Sequence, residues 1–417
     1  MQRLQTINMH AAPATGGKAS SGRPRGKPTL NVWESMGLDK KLSERAVKMR
    51  KETSDMMDSI YKDLLPHVEA TTFPTWLPDK IKPLGINGLQ IKGYGSPGLP
   101  TIEAGASIFE MAKRDGSAAT FFLVHNSIGM AVIDGLGDQE QKDRLLPPGI
   151  KFEKIYCFGL TEPENGSDAS GLKTTARKVA GGWVLNGQKR WIGNATIGDV
   201  VVWARNVDDG NRIQAFVVEK GSAGFNPTKI EGKMALRVTQ NADITLRDCF
   251  VPDRNKLTHA KDFATGTNAI LEASRLMVAW MAAGVSCGAY EACLKYCLQR
   301  VQFGKPIAQF QLIQERLSRM LANCEFMLSH LCHLSQQFDA GKTSIGQIAR
   351  AKANCTRLGR EVCALARESV GGNGIILDHH VIKAMNDMEV MYTYEGTYDI
   401  NSLVSGRELT GGLAAFK

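Results

Sequence analysis

Several signatures of common ligand sites are absent from this 417-residue sequence. It contains no Gly-x-Gly-x-x-Gly and no Walker loop, so a dinucleotide would have to be held without a glycine-rich phosphate loop. Zinc-finger spacing and RNA-binding signatures are missing, as are long Lys/Arg blocks interleaved with aromatic residues. The net charge of +9 therefore indicates a phosphate-bearing small molecule, and not a nucleic acid, as the ligand.

Long apolar runs and closely paired cysteines are lacking as well. No apolar run approaches the length of about 18 residues that a transmembrane helix needs, so we expect no membrane span. None of the nine cysteines lies in a Cys-x-x-Cys pair, although Cys293 and Cys297 are one helical turn apart and Cys332 has histidines on both sides. Metal binding needs more converging ligands than these positions offer, whereas free cysteines are common in helix cores. We predict no metal site and a reducing compartment without disulfides.

The amino-terminal segment lacks acidic residues, since Glu34 is the first acid of the chain. Residues 1–35 are basic and rich in Ala, Gly and Ser, which is typical of a targeting segment or flexible tail. Within it, "RLQTINMHA" places Arg3-Leu4 and His10-Ala11 two helical turns apart on one face. This pattern resembles the amino-terminal peroxisomal targeting nonapeptide and predicts a peroxisomal import receptor as a partner. A mitochondrial transit peptide or a disordered tail stays open as an alternative.

The hydrophobic patterns follow the order helix, strand, helix. Apolar residues first recur at three- and four-residue steps, and long helical patterns that stop at "GGNG" end the chain. Between them lie short β-rich runs divided by Gly, Asn and Asp, among them "DVVVWARN" and "NADITLRDCFVP". Asn186-Gly187 is a turn signal, although its place inside a run leaves the limits of the strands open. No βαβ alternation occurs, and this pattern argues against a Rossmann sheet. We predict an α+β fold with four parts: a targeting or flexible tail at 1–35, an α-helical domain at 36–155, a β-barrel or sandwich domain at 156–258, and a four-helix-bundle domain at 259–417.

Three stretches carry residues suited to a flat or phosphorylated ligand. The segment "FGLTEPENGSDASG" offers hydroxyls and exposed backbone donors at Thr161 and Ser167, although a plain loop has the same composition. "RWIGNATIGD" sets Trp191 beside the small Gly193, where a planar ligand could approach, although a core tryptophan fits too. Arg300 in "QRVQFGKP" suits a pyrophosphate, but it equally suits the negative end of a helix dipole.

A fourth stretch, "VMYTYEGTYDIN", sets Glu395 among three tyrosines and directly before Gly396. A loop acid before a helix is stabilised by the positive end of the helix dipole, which explains the residue without any function. A partly desolvated carboxylate with a raised pKa would instead act as a general base. Both interpretations stay open on this stretch alone.

Together these stretches resemble one known family. "LTEPENGSD", "NGQKRWI", "RVQFGKP", "GGNG" and "YEGTYDI" stand in the order and spacing of the acyl-CoA dehydrogenase and oxidase superfamily, over roughly residues 40–412. "IKGYGSPGL" and "YTYEGTYDIN" look most similar to the dehydrogenase-like, short-chain type acyl-CoA oxidases of plant and green algal peroxisomes. Glutaryl-CoA dehydrogenases are the next nearest group. The resemblance implies that Glu395 removes the α-proton of an acyl-CoA while a hydride leaves to FAD, which gives a trans-2-enoyl-CoA.

The resemblance also implies a ligand set, with FAD held between the β domain and the carboxyl-terminal helices. The FAD residues would be Phe158, Leu160, Thr161, Ser167, Trp191, Gly193, Arg300, Gln302, Phe303, Glu368, Gly371, Gly372, Thr397 and Asp399. The acyl-CoA residues would be Phe121, Phe122, Ser167, Arg275, Tyr394 and Gly396. Some of the FAD residues would reach the cofactor of a neighbouring subunit, so a homo-oligomer is expected, most often a dimer of dimers.

Two departures from the family pattern shape the expected activity. Ala119 stands where glutaryl-CoA dehydrogenases use an arginine, so a buried glutaryl carboxylate would be unpaired and a straight-chain acyl group is favoured. Gly193 stands where many dehydrogenases have threonine, and the missing side chain is expected to admit dioxygen. The predicted function is therefore a peroxisomal acyl-CoA oxidase that forms hydrogen peroxide. The alternatives are a mitochondrial acyl-CoA or glutaryl-CoA-like dehydrogenase linked to an electron-transfer flavoprotein, and a non-catalytic acyl-CoA-binding protein.

Overall fold

The computed structural model describes residues 27–413, apart from the side chains of residues 268 and 269, with α-helices before and after a central group of strands. The targeting motif at residues 3–11 lies outside the described residues, and the localisation that it suggests stays a prediction. The helices are α1 (Val32–Ser35), α2 (Glu44–Ala70), α3 (Leu77–Ile81), α4 (Thr101–Arg114), α5 (Gly116–Leu123), α6 (Ala131–Leu136), α7 (Gln139–Ile150), α8 (Phe263–Gln299), α9 (Gln311–Asp339), α10 (Ile345–Val370), α11 (Val381–Thr393) and α12 (Tyr398–Leu409). The predicted α+β class is confirmed.

The strands lie between α7 and α8, except for one short hairpin. They are β1 (Tyr156–Gly159), β2 (Thr175–Val179), β3 (Gly182–Gly193), β4 (Asp199–Asn206), β5 (Arg212–Val218), β6 (Phe225–Lys229) and β7 (Asn241–Pro252), followed by the hairpin β8 (Val301–Gln302) and β9 (Lys305–Pro306). β4 pairs with β5 on one side and with β1 and then β2 on the other, and the sheet continues through β3 and β7 to β6. Only the β1–β4 and β2–β4 pairs of this described sheet are parallel, which agrees with the expected absence of a Rossmann arrangement.

The amino-terminal helices follow their apolar pattern closely. α2 begins where the Ser43 hydroxyl accepts the Ala46 N–H, and its buried side chains Met57, Ile60 and Leu64 recur at helical spacing. α4 is buried along nearly its whole length because it packs against both α2 and α8. The amino-terminal helices therefore share one interior with the carboxyl-terminal helices.

A π-helical segment, residues 124–130, joins α5 to α6 and fixes the sheet against the helices. The N–H of Tyr156 on β1 donates to His125 Nδ1 at 3.0 Å, and His125 Nε2 donates to the Gly149 carbonyl at the same distance. Burial lowers the pKa of His125 to about 4, so the ring is neutral with its proton on Nε2. A Cβ at Gly129 would lie 2.7 Å from the Tyr156 carbonyl, which explains the glycine at this close approach.

The strands show where sequence patterns succeed and fail. β4 and β7 occupy the runs "DVVVWARN" and "NADITLRDCFVP", as predicted. The dipeptide Asn186-Gly187 makes no hairpin: β3 continues through it with a shift in register, because Gly187 passes against Thr174 where a Cβ would meet the backbone at 2.7 Å. β1 and β6 were not predicted. β1 is very short, and β6 carries Pro227, which the edge of a sheet tolerates.

The carboxyl-terminal helices pack around α10. α8 and α10 form an extensive contact, and α9, α11 and α12 also contact α10. α10 begins with a capping box between Ser344 and Gln347 and ends at Gly371, whose φ of +68° is left-handed. The prediction that "GGNG" ends this helix is therefore confirmed.

The interior of the helical parts is strongly apolar. Two helical stretches, Gly116–Leu136 and Phe263–Gln299, are long and apolar enough to cross a membrane, but 83% of the apolar window of each is buried inside the protein. Core helices of a folded protein pass the same test of length and composition. All nine cysteines are buried and unpaired by disulfides, as expected of core residues.

Candidate active site

Residues 394–397 join α11 to α12, and we refer to them as the Glu395 turn. Glu395 and Gly396 both have left-handed backbone angles, with φ of +54° and +81°. A Cβ at Gly396 would lie 2.9 Å from the Asn401 amide nitrogen, and Thr397 caps α12 by accepting the Ile400 N–H. Residues other than glycine rarely adopt positive φ, and such positions are often functional. The local sequence "EGT" thus builds a tight turn that presents one carboxylate.

The carboxylate of Glu395 faces the carboxyl-terminal helices. Ser274 on α8 is fully buried and donates its hydroxyl to Glu395 Oε2 at 2.7 Å. Oε1 accepts no hydrogen bond from the backbone or side chains that the structure describes. Burial raises the pKa of Glu395, whereas the Ser274 hydrogen bond and the positive charges of Arg275 and Lys352 act in the opposite direction.

The backbone carbonyls of the Glu395 turn are bound by three buried side chains. Arg275 Nε donates to the Glu395 carbonyl at 3.4 Å, and Asn401 Nδ2 donates to the same carbonyl at 3.3 Å and to that of Gly396 at 2.8 Å. Lys352 Nζ donates to the Gly396 carbonyl at 2.6 Å, and burial lowers the pKa of Lys352 to about 7. The structure thus places Arg275, expected to contact CoA, in the interior beside Glu395.

Tyr394 connects the Glu395 turn to α5. Its hydroxyl lies 3.4 Å from Thr120 Oγ1 and 3.8 Å from Met281 Sδ. Phe121, the next residue of α5, packs instead against Phe73 with ring centroids 4.8 Å apart, and Phe122 is also fully buried. Successive helical residues point about 100° apart, so neighbours in sequence do not share one wall of a site. The sequence interpretation assigned Phe121 and Phe122 to the substrate, which stays a prediction, and it did not single out Thr120.

Trp191 presents a flat apolar surface on the sheet. β3 shifts register between residues 189 and 192, and Trp191 has a φ of +63° there. This irregularity turns the indole outward, where 51% of the residue is exposed. The Arg190 guanidinium lies 4.9 Å from the ring centroid and pairs with Asp243 at 2.8 Å. Trp191 is therefore not the core tryptophan that its sequence also allowed.

A buried ion pair fixes the loop that follows β1. Lys189 Nζ donates to Glu162 Oε1 at 2.8 Å and to the Leu160 carbonyl at 3.0 Å, and Thr174 donates to the same carboxylate. Burial lowers the pKa of Lys189 to about 8, and despite the burial of Glu162 its pKa is held below the usual value by Lys189. The sequence interpretation singled out neither residue, although both lie inside its motifs.

The side chains of this loop differ in accessibility. Leu160 is buried, Phe158 and Thr161 are half-buried, and Ser167 is exposed. Asn165 is buried, and its Oδ1 has no hydrogen-bond partner within the part of the chain that the structure describes. An unpartnered buried acceptor beside accessible hydroxyl groups marks this loop as a place where a polar ligand would be stabilised.

Gly193, at the end of β3, is buried. A Cβ at this position would lie 3.3 Å from Val124 Cγ2 and 3.7 Å from Thr239 Cγ2. Neighbouring side chains therefore lie close against the place of the missing side chain. The expectation that this glycine opens a path for dioxygen is not supported by the packing.

Six further residues of the predicted cofactor set lie at the surface. They are Arg300, Gln302, Phe303, Glu368, Gly371 and Gly372. They belong to the β8–β9 hairpin and to the end of α10, and Phe303 is 92% exposed. Of the last two predicted cofactor residues, Asp399 is exposed and Thr397 is half-buried at the start of α12.

Comparison with known proteins shows matches along most of the chain. The models of the acyl-CoA dehydrogenase N-terminal, middle and C-terminal domains match residues 43–153, 157–249 and 264–410. An acyl-CoA dehydrogenase of Bacillus subtilis is 30% identical, with 89% of this chain and 99% of that protein covered. The caffeyl-CoA reductase-Etf complex subunit CarC of Acetobacterium woodii is 32% identical, with 87% and 97% covered. A glutaryl-CoA dehydrogenase from Mycobacterium smegmatis in complex with FADH2 is 30% identical, with a TM-score of 0.88 and 93% and 99% covered.

These relatives overturn the oxidase prediction. They are named as dehydrogenases or as a reductase, and one is a subunit of a complex with Etf. The predicted oxidase activity that forms hydrogen peroxide is therefore wrong, and these relatives give no support for a special closeness to plant oxidases. Sequence motifs around the flavin and the base are shared by both classes, so they could not separate the electron acceptors.

Proposed function

The chain belongs to the acyl-CoA dehydrogenase family, and from this premise we propose that it is an FAD-dependent acyl-CoA dehydrogenase that passes electrons to an electron-transferring flavoprotein. The acceptor is supported by the relative that works in a complex with Etf. The cofactor is supported by the structural neighbour with bound FADH2. The activity itself rests on one feature of this chain, the carboxylate of Glu395.

Glu395 acts as the general base. Its Oε2 accepts the Ser274 hydrogen bond, which leaves Oε1 as the oxygen that takes the α-proton of the acyl-CoA. Burial raises the pKa of this carboxyl group and so makes it a stronger base than a solvated glutamate. The hydrogen bond from Ser274 and the positive charges of Arg275 and Lys352 limit this rise in pKa.

The backbone N–H of Glu395 stabilises the substrate carbonyl. Among the groups that the structure describes, this N–H donates to no carbonyl and no side chain. The α-proton of a thioester becomes acidic enough to leave when its carbonyl oxygen accepts hydrogen bonds, because negative charge develops on that oxygen. In this left-handed turn, one residue thus provides both the base and a hydrogen-bond donor for the carbonyl oxygen of the substrate.

The residues on and beside the sheet fit FAD. Trp191 provides a flat apolar face for the isoalloxazine ring, and the loop after β1 provides Thr161, Ser167 and the unpartnered Asn165 oxygen for polar atoms. When bound, FAD supplies the acceptor for the hydride that leaves the β-carbon. Phe158, Leu160, Thr397 and Asp399 are assigned to the same site by their place in the family motifs.

A second copy of the chain completes the cofactor site. The six exposed residues on the β8–β9 hairpin and at the end of α10 include Phe303, an aromatic side chain that is almost fully accessible in one subunit. Such a side chain is stabilised when a partner covers it. A homo-oligomer, most simply a dimer of dimers, would bring this surface to the FAD of another subunit.

The substrate is an acyl-CoA with an uncharged, straight chain. Ala119 is buried and offers no charge for a distal carboxylate. The nearby cations Arg275 and Lys352 already donate to carbonyls of the Glu395 turn. A second carboxylate in this interior would be unpaired and costly to bury.

Anaerobic reduction of the purified yellow protein tests the proposal. Butyryl-, octanoyl- and glutaryl-CoA would be added separately, and flavin bleaching would be followed by absorbance. We expect bleaching with the straight-chain substrates, recovery of colour on addition of an electron-transferring flavoprotein, and slow recovery in air. If the reduced protein reoxidises rapidly in air and is not reoxidised by the flavoprotein, the proposed electron acceptor is contradicted. If no acyl-CoA bleaches the flavin, the proposed enzyme activity is contradicted.

A further inference from the structure

We infer that Lys352 is a positioning residue for proton abstraction, because its ammonium group fixes the backbone that presents Glu395. This inference deepens the proposed function and rests on it. Lys352 lies on α10. Among the described groups, its ammonium group donates to backbone carbonyls and makes no hydrogen bond to the carboxylate of Glu395. Its effect is exerted through the Glu395 turn.

The location of Lys352 is unusual for a lysine. Its side chain is fully buried on the face of α10 that also carries Ile348 and Cys355, both buried. Burying an ammonium group is unfavourable unless hydrogen-bond acceptors replace the lost water. Here the acceptors are the Gly396 carbonyl at 2.6 Å and the Tyr392 carbonyl at 3.3 Å. The Glu395 turn is therefore the structural reason why a lysine is tolerated at this position.

The two carbonyls lie on either side of Glu395 in sequence. A non-glycine residue with φ of +54° is held in that conformation only when its surroundings over-determine it. Asn401 also donates to carbonyls of the turn, but it belongs to α12, the helix that the turn itself begins. Lys352 comes from another helix and so ties the turn to α10.

This connection fixes Glu395 relative to Ser274. α10 packs extensively on α8, and α8 carries Ser274, whose hydroxyl donates to the carboxylate. Lys352 and Ser274 therefore hold the same residue at its backbone and at its side chain. The charged groups that face Lys352 are Glu395, whose negative charge favours the ammonium form, and Arg275, which opposes it.

The test compares Lys352→Met with the wild type in the FAD-loaded protein. Methionine preserves the length of the side chain and removes the charge and its donors. We expect the rate constant for flavin reduction to fall by roughly 100-fold, as small misplacements of reacting groups do, with little change in the Kd of the acyl-CoA. The acidic limb of the pH profile, where the reduction rate falls as Glu395 becomes protonated, should move to higher pH. The reason is that the variant lacks a cation that favours the carboxylate form. Lys352→Gln, with the same expectation, replaces the methionine variant if that variant does not retain FAD.

A readout independent of activity is hydrogen exchange in residues 394–398. We expect faster exchange there in Lys352→Met, and unchanged exchange in Arg357→Met, a matched control on the exposed face of α10. Unchanged exchange and a reduction rate within about threefold of the wild type would overturn the positioning role. If the wild type itself is not reduced by acyl-CoA, the proposed function fails, and the exchange result still decides whether Lys352 holds the turn.

Discussion

Two regions of the molecule differ in how far the residues of a single subunit enclose them. The Glu395 turn is closed by buried partners from α8, α10 and α12, which bind its carboxylate and its carbonyls. The β8–β9 hairpin and the end of α10 are open, with Phe303 and Ile375 exposing 92% and 67% of their surfaces. The carboxylate of Glu395 is therefore positioned within one subunit. The exposed surface that we assign to the cofactor of another subunit would be covered only in an oligomer.

The side chains of the two regions are held in place in different ways. A base must be held within a fraction of an ångström of the atom that it attacks, and buried hydrogen bonds in a packed interior provide that. Apolar residues at an exposed hairpin instead gain their stabilisation on association, as interface residues do. Substitutions in the first region should change chemistry without changing assembly, and those in the second should do the reverse.

The largest effect is expected for Glu395→Gln. Glutamine keeps the shape of the side chain but cannot accept the α-proton, so the rate constant for flavin reduction should fall by about 10,000-fold, the upper range for a lost general base. Anaerobic stopped-flow absorbance measures it. Glu389→Gln on the exposed face of α11 is the control, and its rate should stay within about twofold of the wild type. A substantial residual rate in Glu395→Gln would assign the base to another residue.

A large effect on assembly is expected for Phe303→Asp. A charge in place of an exposed aromatic anchor should weaken subunit association by about 2 kcal/mol or more, which is roughly a 30-fold loss in affinity. Sedimentation velocity over a range of protein concentrations would show the smaller species, and retained flavin would report on the cofactor site. Phe250→Asp on β7, another partly exposed phenylalanine, should leave the oligomer intact. An unchanged oligomer in Phe303→Asp would separate the hairpin from the subunit interface.

A smaller effect on chemistry is expected for Ser274→Ala. The hydroxyl stabilises the carboxylate form, so its loss should raise the pKa of Glu395 further and move the acidic limb of the reduction rate upward by about 1 pH unit. At pH values below that limb the rate should drop about tenfold, and at high pH it should recover, because the active form is the carboxylate. Ser286→Ala is a matched control: this serine is also buried on α8, but it donates to the Ala282 carbonyl. A shift to lower pH would contradict the assigned role.

Much of the fold could be predicted because its elements carry local signals. α10 has a capping box at its start and a glycine at its end, and the limits of β4 and β7 follow from their β-rich runs. β1 was missed because a strand as short as "YCFG" has too few residues to show a period. The turn signal at Asn186-Gly187 failed because the contact of Gly187 with Thr174 favours a continuous strand with a bulge.

The site was only partly predictable, because its residues act through contacts between distant segments. Glu395 was singled out as the candidate base from a motif that includes its own turn residues. Ser274 and Lys352 were missed because their partner lies far along the chain, although a lone lysine on the apolar stripe of α10 was a visible signal. Similarly, the role of Arg275 beside Glu395 depends on how α8 packs and could not be derived from its neighbours in sequence.

The smallest effect is expected for Gly193→Thr, and it tests whether a missing side chain controls oxygen access. The added Cβ would lie 3.3 Å from Val124 Cγ2, so the neighbours must shift slightly, at a cost of about 1 to 3 kcal/mol in stability. The rate of reoxidation of the reduced flavin by dioxygen should change by no more than about twofold, since side chains of Val124 and Thr239 already lie against this position. Thermal unfolding and air reoxidation measured on the same sample would separate the two effects. A fall of tenfold or more in reoxidation would instead show that the packing around β3 opens transiently, and that oxygen reaches the reduced flavin past Gly193 in the wild type.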